Sequence, residues 1–300
     1  PEDGEAYQPV TATVSIGGYD LKAEWLPTET SVYNTSFYNN SLAVVGDTVY
    51  ILTGQKLRIF NRSGNQLIAA GDPLTLDDNY QFLSSVSDGT VYITDGYYQA
   101  LTYSNGALNK FDFDRYLAMH PDGQWGLGFW SSYDVKKVTF TADGAATKSW
   151  ALTDLSDDTL RKGRFTSVSY ITITDDHVFV VGSDAQSDGA TIIAMYDFDG
   201  NELAIFGSAD WMDDAYIVSV VGIVQTEDRI LVLDGFYNNF KLFKLDGTFL
   251  GNVSCDPLLG TLYPWPVSMV ASDNGAIALI SQERSDQSAT ELLAFEITGF

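Results

Sequence analysis

The chain has 300 residues, 45% hydrophobic and 13% aromatic, with 26 glycines and only 8 prolines, enough apolar material for one sizeable core and too much for a disordered chain. Sixteen basic against forty acidic residues give a formal net charge of −24, which repels phosphate backbones and argues against a nucleic-acid partner. No apolar run nears the roughly 18 residues of a membrane helix, the longest candidate being the strand-length stretch Tyr216 to Val224, so no transmembrane segment is expected.

The chain opens on PEDGEAYQP, polar and without periodicity. Residues 1–9 are therefore expected to be a flexible tether, of the kind left when a leader is removed. TATVSIGGYDLKAEWLP follows, with strands expected over Thr11 to Ile16 and Leu21 to Leu26, joined by Gly17-Gly18.

From residue 40 onward one phrase recurs six times: an acidic turn into an apolar strand, then a second strand ending in a glycine turn. The acidic residues are Asp47, Asp88, Asp122, Asp175, Asp228 and Asp273, spaced by 41, 34, 53, 53 and 45. The turn glycines are Gly64, Gly106, Gly144, Gly200, Gly247 and Gly299, spaced by 42, 38, 56, 47 and 52. A period of roughly 40 to 50 residues is that of a four-stranded propeller blade. In the second copy the alternation predicts strands A to D over Gln81 to Ser87, Thr90 to Thr94, Ala100 to Tyr103 and Leu108 to Phe113, with Asp88-Gly89 and Asn105-Gly106 as the hairpin turns. Such a meander cannot bury both apolar faces alone, so its neighbours must stack on it. The last copy ends after its C strand, Glu291 to Ile297, leaving an edge that needs a partner. Leu21 to Leu26 resembles the outer strand of the third copy and is assigned as the missing outer strand of the last copy. The expected fold is all-β: one six-bladed propeller of four-stranded antiparallel blades over residues 10–300, closed by the amino-terminal segment.

Three segments, KLRIFNRSGNQLIAAG, TIIAMYDFDGNELAIFG and NNFKLFKLDGTFLGNV, resemble the strand–glycine turn–strand phrase of NHL-type and TolB-like six-bladed propellers. The likeness spans most of residues 40 to 300, with the third and sixth copies degenerate. It implies the fold and no catalytic residue, because such rings serve as binding scaffolds, lactonases, ligases and envelope proteins.

In a propeller, B-to-C and D-to-A loops share one face. The B-to-C loops here contribute Asp95, Tyr97 and Tyr98, then Trp130, Tyr133 and Asp134, then Asp184 and Asp188, then Asp234, Phe236 and Tyr237; TDGYYQ and LDGFYNN are two copies of one loop. The D-to-A connections add Phe37, Tyr38, Asp77, Asp78, Tyr80, Asp210, Trp211, Asp213, Tyr216, Tyr263 and Trp265. Flat rings beside hydrogen-bonding groups suit a sugar or peptide surface; the same rings could instead cap the spaces between blades.

Enzyme signatures are mostly missing. There is no G-x-S-x-G elbow, P-loop, H-E-x-x-H or C-x-x-C. His120 and His177 lie at A-to-B turns of different copies, which makes a shared metal site improbable, and Cys255 is alone. Calcium, which needs only oxygen ligands, is left open through Asp95, Asp184 and Asp234, whereas Asp197-Phe198-Asp199-Gly200 reads as a hairpin turn. Arg161-Lys162-Gly163-Arg164 reads as the solvated end of a short helix or loop beginning near Ser156. The sequons at Asn34, Asn39, Asn61 and Asn252 are weak pointers to secretion. The favoured expectation is an extracytoplasmic propeller, secreted or lipid-anchored, that binds a glycan, peptide or protein on an aromatic-acidic face without a cofactor. A carboxylate-dependent hydrolase or lactonase and a structural envelope protein are the alternatives.

Overall fold

The computed structural model describes residues 12–28, 32–34, 40–78, 80–95, 100–111, 116–131, 134–140, 146–151, 164–255, 265–283 and 290–300. Among the described residues twenty-seven strands run from β1 (Ala12–Ile16) to β27 (Thr290–Thr298). Two compact units divide the chain, one of residues 1–77 and 218–300, the other of residues 78–217.

In the second unit three four-stranded antiparallel sheets follow one another along the chain. The first has the order β12–β11–β10–β9, with β9 Phe82–Ser85, β10 Val91–Thr94, β11 Ala100–Ser104 and β12 Ala107–Phe111. These match the four strands expected for the second copy: β9 is shorter than expected by one residue at its start and two at its end, β10 begins one residue later, β11 runs one residue further, and β12 begins one residue earlier. The turn between β11 and β12 falls at Asn105 and Gly106, φ 50° and 81°, a left-handed pair that glycine and asparagine tolerate best. The next sheet runs β13 (Tyr116–Met119), β14 (Trp125–Ser131), β15 (Asp134–Phe140) and β16 (Ala146–Ala151), so the degenerate third copy still forms four strands. The last runs β17 (Phe165–Ile173), β18 (Val178–Asp184), β19 (Thr191–Tyr196) and β20 (Glu202–Phe206).

The first unit contains a sheet of β4 (Asn40–Val45), β5 (Thr48–Thr53), β6 (Lys56–Ser63) and β7 (Gln66–Ala69). A two-residue strand β8 (Leu74–Thr75), not foreseen from the sequence, pairs with β6. The remaining strands form a ten-stranded sheet in which β25 (Trp265–Ser272), β26 (Gly275–Glu283), β27 and β2 (Tyr19–Leu26) are consecutive. The amino-terminal segment thus supplies the strand outside β27, with Lys22 opposite Thr298 and Leu26 opposite Ala294. β1 pairs outside β2, and β3 (Val32–Asn34) also pairs with β27. At its other end the sheet passes through one parallel contact, Gly222 to Met269, into β21 (Val220–Gln225), β22 (Arg229–Asp234), β23 (Asn239–Lys244) and β24 (Phe249–Ser254).

Both faces of β26 are buried, and its alternation sorts residues between two cores. Ala276, Ala278 and Ile280 pack with Leu231, Leu233, Phe240, Leu242, Phe295 and Ile297. Ile277 and Leu279 pack with Leu42, Val49, Ile51, Phe60 and Leu67. A strand buried on both sides reads as a continuous apolar run, as GAIALI does. Each fully buried side chain of this size contributes about 1.5–3 kcal/mol, so stacking of neighbouring sheets, not isolated hairpins, stabilises the unit. Cys255 is buried in the first of these cores, consistent with a packing role for its thiol.

Candidate functional site

Three aspartates close the strands that feed the B-to-C loops, and all three are buried: Asp95 follows β10, Asp184 ends β18 and Asp234 ends β22. Asp234 has no exposed surface. Its Oδ2 accepts the Val218 N–H at 3.0 Å; its Oδ1 accepts those of Ser219 at 3.2 Å, Phe236 at 3.0 Å and Tyr237 at 3.4 Å. A carboxylate removed from water needs such donors, because charge-assisted N–H bonds offset the cost of burying it. The group is therefore a loop anchor. Asp184 does related work: its Oδ1 accepts the Gln186 N–H at 3.1 Å, its Oδ2 accepts the Ser187 hydroxyl, and Arg164 Nη1 lies 3.8 Å away.

A β-bulge accompanies both anchors. The register slips between Val220 and Gly222 opposite Asp234, and between Phe165 and Ser167 opposite Asp184. A slip between Pro266 and Ser268 in β25 repeats the pattern. Bulges bend a strand and re-aim its end, and nothing in the alternation of these segments announces them.

The loop held by Asp234 carries Gly235. A Cβ there would stand 2.9 Å from Val221 Cγ1 and 3.5 Å from the Pro266 carbonyl oxygen, so the loop backbone lies directly against the start of β25. Phe236 and Tyr237 follow Gly235 in the chain, and Trp265 precedes Pro266. The three are 60%, 44% and 60% exposed, and the Phe236 and Tyr237 rings meet edge to face at 5.2 Å. Lys241 Nζ lies over the Tyr237 ring, 5.8 Å from its centre. Because the Asp234 carboxylate is turned inward, this patch is an aromatic shelf on a rigid loop rather than a row of rings alternating with free acids.

The other expected residues are distributed differently. Trp211 is exposed in the second unit, between β20 and Ile217. Tyr80, expected among the loop aromatics, is fully buried; it is a core side chain, because packing takes a large ring wherever the backbone turns it inward. Tyr97, Tyr98, Tyr133, Phe37, Tyr38 and Tyr263 lie outside the described residues, as do Arg161 to Gly163 and the turn at Gly144. Trp130 and Asp134 lie in β14 and β15, their side chains outside the description. Asp197 accepts the N–H groups of Asp199 and Asn201 and the Asn201 side-chain amide, as a hairpin turn requires.

His120 follows β13 and stacks on Trp125 at 4.8 Å, with Phe198 edge-on at 5.0 Å. Its Nδ1 lies 2.9 Å from Asp122 Oδ1. His177 precedes β18, and its N–H donates to Thr174 Oγ1 at 3.1 Å. Among the described residues no group of three histidines, cysteines or carboxylates is arranged to hold a metal ion, and no helix is long and apolar enough to cross a membrane.

No known sequence family and no curated protein matches the chain. Solved structures do. A streptogramin B lyase is similar at a TM-score of 0.54 and 13% identity, over 95% of this chain and all of that one. Virginiamycin B lyase from Staphylococcus aureus is similar at 0.50 and 14%, over 94% and 89%. A catalytically inactive histidine-to-alanine form of the S. aureus lyase, with quinupristin, is similar at 0.52 and 14%, over 93% and 100%. At such identities the likeness shows the fold alone: the chain is a β-propeller.

Proposed function

We propose that the chain is a six-bladed propeller of the NHL- or TolB-like kind that works outside the cytoplasm as a binding module. The blade count is supported by the six copies of the strand–turn phrase and by the amino-terminal strand β2 standing where the last copy lacks its outer strand. The aromatic shelf of Phe236, Tyr237 and Trp265 is its recognition surface, and its ligand is a glycan, a peptide or a protein segment offering flat or apolar faces between polar groups.

One observation carries the reading. Two large rings, Phe236 and Tyr237, are left in water on a loop whose N–H groups a fully buried carboxylate accepts while it also accepts those of Val218 and Ser219, and a third exposed ring, Trp265, opens the strand against which that loop's backbone lies. Exposed rings contribute little to the fold, whereas a rigid shelf loses little entropy on binding. The test is a glycan and peptide array probed with the natural chain and with Phe236→Ala and Trp265→Ala. Binding that both variants lose supports the reading; binding that neither changes removes the shelf from it.

A lyase reading drawn from the similar structures has less support. Loss of one histidine accompanies inactivity in the S. aureus enzyme with quinupristin, whereas the two histidines here occupy hairpin turns, His120 being walled in by Trp125 and Phe198. Incubation with quinupristin, followed by mass spectrometry, is expected to leave the compound intact.

A further inference from the structure

In the second unit Trp211 and Met212 stand side by side, 71% and 70% exposed, in the segment between β20 and Ile217. The segment is folded around its own acids. The Met212 N–H donates to Asp210 Oδ1 at 2.9 Å and the Ala215 N–H to Asp213 Oδ1 at 2.8 Å, while Asp213 and Tyr216 donate to the carbonyls of Asp210 and Asp213. Ala215 and Ile217 are buried at its root, and a Cβ at Gly207 would reach Ile217 Cδ1 at 3.3 Å. An apolar pair is thus displayed on a structured loop rather than left over on a loose one.

The charges of its own segment have one sign. Asp210, Asp213 and Asp214 flank the pair and are exposed, and the chain carries no lysine or arginine between Arg164 and Arg229. We infer that this tip is a docking site for a cationic segment of a partner protein. Trp211 takes the cationic heads over its ring face and the side-chain stems against its edge, Met212 adapts to the partner's apolar residues, and the three carboxylates draw the segment in and set its register. An anionic membrane, a nucleic acid and a second copy of this chain, itself at −24, all meet repulsion here.

The purified chain should be titrated by fluorescence anisotropy with three labelled peptides of matched length: one of lysine and arginine with interspersed leucine, its glutamate counterpart, and a neutral one. Variants Trp211→Ala, Met212→Ala and the triple D210N/D213N/D214N are compared; asparagine keeps the side-chain oxygens that accept the loop N–H groups, so charge is removed without removing the turns. The basic peptide alone is expected to bind saturably, weakening with salt. Trp211→Ala and the triple variant should each lose about tenfold or more in affinity, the loss of an aromatic anchor or of its steering charge, with unfolding midpoints unchanged. No saturable binding of the basic peptide, or equal binding by Trp211→Ala, overturns the inference. So does a Trp211-dependent dimer in sedimentation, which would make the tip a self-association face.

Discussion

Asp234 Oδ1 accepts the backbone N–H of Phe236 at 3.0 Å, so a carboxylate with no exposed surface fixes the direction in which an exposed ring leaves its loop. Replacing it with alanine strands four N–H groups that the folded chain has gathered round it. A cost of about 1–3 kcal/mol is expected, read as a lowered midpoint in urea. Asp234→Asn should fall between, because one oxygen remains while the new amide faces the Val218 N–H.

The shelf rings should behave oppositely. Phe236→Ala and Trp265→Ala are expected to change unfolding free energy by no more than about 0.5 kcal/mol, as exposed substitutions do, while Phe240→Ala in the adjacent core costs about 3–5 kcal/mol. Ligand binding should weaken by more than about 1 kcal/mol for an anchor ring. A large stability loss in Phe236→Ala would make it a packing residue.

Register in the amino-terminal strand is testable through neighbours. Lys22 is exposed and Ala23 is fully buried in the core with Phe295 and Ile297. Lys22→Glu should be nearly neutral, within about 0.5 kcal/mol, whereas Ala23→Glu buries a charge among apolar side chains and is expected to cost more than about 3 kcal/mol or abolish folding. Equal midpoints for the two would refute the pairing of β2 with β27.

Gly222 is where β21 meets β25. A Cβ there would stand 2.5 Å from Met269 Cβ and 2.6 Å from its carbonyl oxygen, so Gly222→Ala must push the strands apart. A loss of about 1–3 kcal/mol is expected, partly recovered in Gly222→Ala with Met269→Ala if the crowding is with the Met269 side chain rather than its backbone.

Acid should destabilise the fold through its turns. The side chain of Asn201, with backbone N–H groups, holds the Asp197 carboxyl below its usual range, and Thr248 does the same for Asp246. A carboxyl whose folded pKa is depressed contributes stability above its unfolded value of 3.8, lost as pH falls through the lower folded value. Thermal midpoints measured from pH 6 downward should therefore drop fastest below pH 4, and the double variant Asp197→Ala, Asp246→Ala should show a shallower drop. An unchanged slope would assign acid sensitivity to other groups.

Local chemistry was legible along the chain. Alternation located β9 to β12, the pair Asn105-Gly106 announced a left-handed turn, and the absence of an outer strand after Ile297 pointed to the segment ending at Leu26. These follow from interactions between residues near in sequence, or from one unmet edge that only one apolar segment could fill. The site was only half legible. LDGFYNN marked a loop with exposed rings, yet its aspartate read as a free ligand group; the donors that occupy it include Val218 and Ser219, sixteen and fifteen residues away, brought there by a bulge that leaves no mark on the pattern. Tyr80 and Trp211 carry similar signals, an aromatic beside aspartates in a D-to-A connection, and the fold buries one and exposes the other. Whether a ring is core or surface depends on the volume its neighbours leave unfilled, a property of packing between distant strands that periodicity within one segment does not encode.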